Sequence, residues 1–268
     1  MELTILGSGG AMPTPRPFCQ CAVCQKARVI GEPYRRNSCS LFVDDINAVI
    51  DCGEDIADSL NRRDIKRVDN LFITHWHPDH TFGFRPLLEA NYDFRAYCAS
   101  HTINVYIPAR VYKQLIKKLP SIDYLLNYQK TGKLHLLEDG DVVDFGNMTV
   151  TAVGYKGTQS DIYAYYLEHC GKKALYAACD TISFERYNEF TDLDLLLNEC
   201  GLFEDVGSEI TIENLMNKVW EIKPKKTLLT HIEEIELNVW GEGYLDVIKQ
   251  RYADNNLDFA FDGMKITV

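Results

Sequence analysis

Short apolar runs rich in Val, Ile, Leu and Phe recur along the chain: Leu3 to Leu6, Ser40 to Val43, Asn47 to Asp51, Asn70 to Thr74, Arg95 to Cys98, Thr149 to Val153 and Ile162 to Leu167. Their length and β-branching predict strands. Asp44-Asp45 joins two runs closely enough for a hairpin, and Asp262-Gly263 predicts another between Phe259 and Ile266. Apolar residues at three and four spacing predict helices over Asp55 to Arg63, Pro108 to Leu119, Thr181 to Phe190, Thr211 to Trp220 and Tyr244 to Tyr252, two of them closed by Pro120 and Pro224. The second half again places strands first. Leu134 to Phe145 and Met148 to Leu167 lead into Ala174 to Ala178 and Asp194 to Asn198. Continuously apolar strands need cover on both faces, so the pattern predicts an α/β protein of two sheets with helices outside. No Pro/Ser-rich linker divides it, and one domain over residues 1–268 is expected.

The run Leu71-Phe72-Ile73-Thr74-His75-Trp76-His77-Pro78-Asp79-His80 carries the clearest chemistry. Strand alternation puts His75 and His77 on one side, and the turn forced by Pro78 brings Asp79 and His80 back toward the same point. Imidazoles and a carboxylate on a rigid strand end are ligands for divalent zinc, manganese or iron.

Composition narrows the picture further. With 28 Lys+Arg against 39 Asp+Glu, the net charge is −11, which argues against long nucleic acid as a substrate. A small local basic patch stays open, and Arg35 and Arg36 are candidates for phosphate pairing. No apolar run approaches the length of a membrane span, and MELTILGSGG shows no basic stretch before a signal-like core, so no membrane partner and a cytoplasmic location are expected. Three of the nine cysteines, Cys19, Cys21 and Cys24, stand too close together for a disulfide framework. Reduced thiolates at that spacing suit one tetrahedral structural zinc that needs a fourth ligand. The other six cysteines lie in or beside apolar strands and are expected to be core residues.

His75-x-His77-x-Asp79-His80 after an apolar strand resembles the signature of the metallo-β-lactamase superfamily, whose fold is a four-layer αββα sandwich with the metal site at one edge. Leu6-Gly7-Ser8-Gly9-Gly10, Cys19-x-Cys21-x-x-Cys24, Arg35-Arg36-Asn37-Ser38, Asp51-Cys52-Gly53 and Leu229-Thr230-His231-Ile232 are similar to the PhnP-like cyclic-phosphate phosphodiesterase branch. The resemblance implies one metal on His75, His77 and a further histidine, and a second on Asp79, His80 and His231, with Asp180 bridging. It implies catalytic parts for Asp79, His77 and His231, and a fourth knot ligand three residues after His231, where this chain has Glu234. The further histidine is absent: Gly154 to Ser160 contains none, and Thr158 falls nearest its place.

The expected activity is hydrolysis of a small, cyclic phosphodiester by metal-activated water, with zinc or manganese as cofactor. Hydrolysis of another ester or a lactone, and metal or ligand binding at a degenerate site, remain open alternatives. Homodimer formation is also left open.

Overall fold

The computed structural model describes residues 1–157, 160–205 and 209–268. Two seven-stranded sheets form its centre. The first runs β16 (Lys265–Thr267), β1 (Glu2–Gly7), β2 (Ser40–Val43), β3 (Ala48–Ile50), β4 (Asn70–Phe72), β7 (Ile103–Pro108) and β8 (Gly132–Leu137). The second runs β15 (Leu257–Phe259), β14 (Thr227–Thr230), β13 (Leu195–Glu199), β12 (Lys172–Ala177), β11 (Asp161–His169), β10 (Met148–Lys156) and β9 (Val142–Asp144). A small hairpin, β5 (Tyr92–Asp93) with β6 (Cys98–Ala99), stands apart. Each large sheet is antiparallel at one side and parallel at the other, where β3, β4, β7 and β8, and β12 to β15, run side by side.

Alternation along the strands divides their side chains between two cores. In β12, Ala174 and Tyr176 join the cluster that contains Leu41, Val49 and Leu71 of the first sheet; Leu175 and Ala177 join a second cluster under the helix Ile212–Ile222. That helix starts where Thr211 accepts from the Asn214 amide at 3.2 Å, and it ends at Lys223, whose left-handed φ of 46° precedes Pro224. Helices Ile56–Arg62, Phe84–Leu88 and Ala109–Lys118 bury Ile56, Leu87, Leu88, Val111 and Leu115 in the first cluster. Helix, sheet, sheet, helix is the αββα sandwich.

Four expectations change. Arg95 to Cys98 is mostly the turn of the β5–β6 hairpin, because nothing covers its side chains: Phe94 and Tyr97 are exposed. Thr181 to Phe190 forms two separate 3₁₀ turns, Thr181–Ser183 and Tyr187–Glu189. Asp262-Gly263 makes no hairpin; β15 pairs with β14 and β16 with β1, so the chain crosses between sheets there. Leu134 to Phe145 likewise divides into β8 and β9, one in each sheet. The cysteine-bearing segment also contains a helix, Ala22–Ile30, that its prolines obscured.

Candidate metal centre

The candidate residues gather beyond the carboxyl ends of the parallel strands, the edge where open α/β sheets leave a crevice. After β4 the chain passes His75 and His77. Pro78 then begins the short helix Pro78–Thr81, a position where its missing N–H costs nothing. The His80 carbonyl accepts from the Cys52 amide at 2.8 Å, and the Cys52 carbonyl from Gly83 at 2.8 Å, locking this helix onto the end of β3. Asp180 follows β12 and His231 follows β14.

Asp51, buried at the end of β3, organises the histidines. It accepts from the Thr74 amide (2.8 Å), the Thr74 hydroxyl (2.7 Å) and His80 Nδ1 (2.8 Å). With its one proton on Asp51, the Thr74 hydroxyl must accept from His75 Nδ1, 2.9 Å away. Both rings are therefore held with Nε2 turned into the site. His75 Nε2 lies 2.9 Å from His77 Nδ1; Asp79 Oδ2 lies 3.1 Å from His80 Nε2 and 3.5 Å from His231 Nε2. His231 Nδ1 faces Glu233 Oε1 at 3.5 Å.

The ligand atoms of His75, His77 and Asp180 lie within 4.8 Å of one another, and so do those of Asp79, His80 and His231. His80 Nε2 and both ring nitrogens of His231 are buried without a hydrogen-bond partner. Orphaned imidazole nitrogens facing a buried carboxylate are what a cation would satisfy. Asp180 stands at the N-cap of Thr181–Ser183, yet its side chain makes no capping bond, and Glu199 holds that turn by accepting from the Thr181 amide and hydroxyl. Asp180 groups with His75 and His77.

The electrostatics fit the same arrangement. Burial alone would raise Asp79, but His80 and His231 outweigh it and hold its carboxyl far below the ordinary range. Burial opposes the charge on His80, yet Asp79 and Asp51 raise its affinity for a proton well above normal. Burial, then the neighbouring imidazoles, keeps His75 neutral. Burial likewise opposes the charge on His231, yet Cys179 and Asp79 raise its affinity for a proton well above normal, so positive charge is favoured on both imidazoles beside Asp79, where a dication would balance it.

Residues that the sequence reading left without a site role are Asp51, Thr74, Glu233 and Cys179. The Asp51-Cys52-Gly53 turn was visible, but only the fold shows the carboxylate beneath two histidines. Cys179, expected as core, is buried but has its Sγ 3.7 Å from His75 Nε2, and burial pushes its thiol up to about 11. The segment expected to supply a further histidine includes Thr158, which lies outside the described residues. Arg36 is neither a phosphate ligand nor a surface charge; it is buried and donates to Ser8 Oγ at 2.8 Å and the Ala260 carbonyl at 2.6 Å. Arg35 pairs with Asp58 at 2.7 Å.

The second candidate cluster also assembles. Glu234 Oε1 lies 3.5, 3.4 and 3.1 Å from the sulfurs of Cys19, Cys21 and Cys24, and the four ligand atoms lie within 4.8 Å of one another. Cys21 caps the helix Ala22–Ile30 by accepting from the Cys24 amide at 3.4 Å. Burial, and then Glu234, pushes the Cys24 thiol far above its usual value.

Two stacked mixed sheets with histidines and carboxylates at one edge define the class: the chain belongs to the β-lactamase superfamily, whose domain model matches residues 46–232. Its fold is that of the metallo-β-lactamases. The chain is 26% identical over 231 residues to a ribonuclease Z of Picrophilus torridus, an alignment covering 85% of this chain and 65% of that protein, so the chain spans less than two thirds of that relative's length. Among solved structures it is similar to a diphosphatase from the PhnP family (TM-score 0.77, 22% identity, 99% of this chain and 96% of the other). It is also similar to zinc-bound PqqB from Methylobacterium extorquens (TM-score 0.79, 14% identity, both chains covered in full). No described helix is long and apolar enough to cross a membrane.

Proposed function

We propose that this chain is a metal-dependent hydrolase acting on small phosphodiesters, cyclic ones included. The observation that carries the reading is the pair of three-ligand groups at one sheet edge, with orphaned imidazole nitrogens turned inward. His75, His77 and Asp180 would hold one cation, and Asp79, His80 and His231 would hold a second. Bound dications there would lower the pKa of a water and offset charge on the phosphoryl oxygens. Asp79 orients the attacking water through the carboxylate oxygen it does not share with the histidines, and Glu233 steadies the His231 ring. Arg110 and Lys156 are the cationic candidates for substrate phosphate, in a cavity of about 250 Å³ that they line with Tyr163 and the carboxylates Glu138, Asp139 and Asp161. That cavity includes Tyr155, whose hydroxyl donates to the Cys179 carbonyl beside Asp180 at 2.5 Å. Cys19, Cys21, Cys24 and Glu234 would hold a structural zinc, fixing the N-terminal segment three residues from His231.

The similarity to a ribonuclease Z favours a second reading, hydrolysis of RNA by the same centre. The net charge of −11 weighs against it, since RNA binding draws on many cationic contacts. Turnover of bis(p-nitrophenyl) phosphate, a small cyclic phosphodiester and an oligoribonucleotide by one metal-loaded preparation tests both. The reading expects the two small substrates to be cleaved, with rates down by roughly two orders of magnitude or more in His77→Ala and Asp79→Ala. Cleavage of the oligoribonucleotide alone would replace the first reading with the second.

A further inference from the structure

The absent histidine leaves the His75–His77 half of the centre short of a ligand, and one side chain already reaches it. Cys179 Sγ lies 3.7 Å from His75 Nε2, close to the separation that a thiolate and an imidazole adopt on one tetrahedral zinc, with bonds of about 2.3 and 2.0 Å. The same sulfur forms a group with His75 and His80 in which all ligand atoms lie within 4.8 Å of one another. His75 belongs to one half of the centre and His80 to the other, so the sulfur faces both. His80 Nε2, fully buried and without a hydrogen-bond partner, points into the same space. Asp180, the next residue, is grouped with the His75–His77 half.

We propose that Cys179 is a metal ligand shared between the two halves of the centre, and that this thiolate makes the centre select zinc over manganese. The inference rests on the metal-centre reading above. Coordination forms a metal–sulfur bond and releases the thiol proton to solvent. A soft sulfur donor favours zinc, whereas a set of imidazoles and carboxylates alone accepts manganese readily.

Cobalt(II) reconstitution of the full chain reads the sulfur directly, because thiolate-to-cobalt charge transfer absorbs in the near ultraviolet, apart from the visible bands that report coordination number. The knot contributes three thiolates and stays intact in Cys179→Ser, so the difference spectrum between wild type and this variant isolates Cys179. We expect the charge-transfer intensity to fall by roughly a quarter or more, one thiolate in four, and the zinc-to-manganese preference in competition to drop at least about tenfold. An unchanged charge-transfer band in Cys179→Ser, with visible bands still lost in His80→Ala, overturns the proposal and leaves the metal centre standing. Cobalt uptake that neither His80→Ala nor Cys179→Ser reduces overturns the centre and the proposal together. Should Cys179→Ser misfold, Cys179→Asp, which keeps a ligand but not the sulfur, must lose the same band.

Discussion

Three residues at the candidate centre share an uncommon backbone. Asp51, Asp180 and His231 have φ values of 63°, 51° and 54°, the left-handed region that side chains with a Cβ seldom occupy. Each directly ends or closely follows a strand, and the left-handed turn swings its side chain off the strand line into the crevice. Strain of this kind persists where the surroundings over-determine it, as the three hydrogen bonds on Asp51 do. Asp51→Ala removes the acceptor that orients both His80 and the Thr74 hydroxyl under His75. Metal affinity at the centre, measured by chelator competition, is expected to fall by roughly 10–100-fold. Unchanged affinity would mean the rings hold themselves. At the substrate side, Arg110→Ala is expected to raise KM for bis(p-nitrophenyl) phosphate by several fold with kcat nearly kept, the mark of a group that binds phosphate equally before and during reaction.

At the level of elements, the helix bearing Asp79 and His80 sits on glycines. A Cβ on Gly83 would come within 2.2 Å of the Gly53 carbonyl oxygen and 2.8 Å of that of Cys52, both backbone atoms that cannot swing aside. Gly83→Ala is therefore expected to lower the Tm and to displace Asp79 and His80 enough to lose metal; a metal count beside a melting curve checks both. Asp262 clamps another junction, where the chain crosses between sheets. It accepts from the Ser8 amide, the Ser8 hydroxyl and the Asn37 amide. Burial lifts its carboxyl to about 6, against those donors and Arg36. A folded value above the ordinary 3.8 means its contribution to stability is full below about pH 4 and is lost as pH rises through 6. Wild-type stability relative to Asp262→Asn should thus fall by up to about 3 kcal/mol from pH 4 to 7 in denaturant titrations. A difference that rises with pH would contradict the assignment.

Much of this was legible before folding. Short continuous apolar runs located most strands because those strands are packed on both faces, and His75, His77, Asp79 and His80 lie within six residues, so local geometry alone brings them together. Asp262-Gly263 misled because a turn dipeptide reports a change of direction, not which sheet the next strand joins. Asp51 and Cys179 were opaque for a related reason. Their neighbours, Thr74, His75 and His80, come from the segment that follows β4, far from either along the chain, so no spacing along the chain encodes the contact.

For the molecule as a whole, the knot ties two distant parts of the chain, since Cys19 to Cys24 meet Glu234 at the start of the helix Glu234–Trp240, just after His231. Cys21→Ser should lower the zinc content by one equivalent and reduce the Tm, while the histidine centre keeps its metal; a count unchanged from wild type would remove zinc from the knot. The surplus of acidic residues falls partly at these sites, where Asp79, Asp180 and Glu234 would face cations. Anomalous scattering from metal-loaded crystals, recorded at the metal absorption edges, tests the central claim most directly. The account predicts density among His75, His77, Cys179 and Asp180 and among Asp79, His80 and His231, with a further peak between the three cysteines and Glu234. Density at the knot alone, with the histidines bare in fully loaded protein, would contradict it.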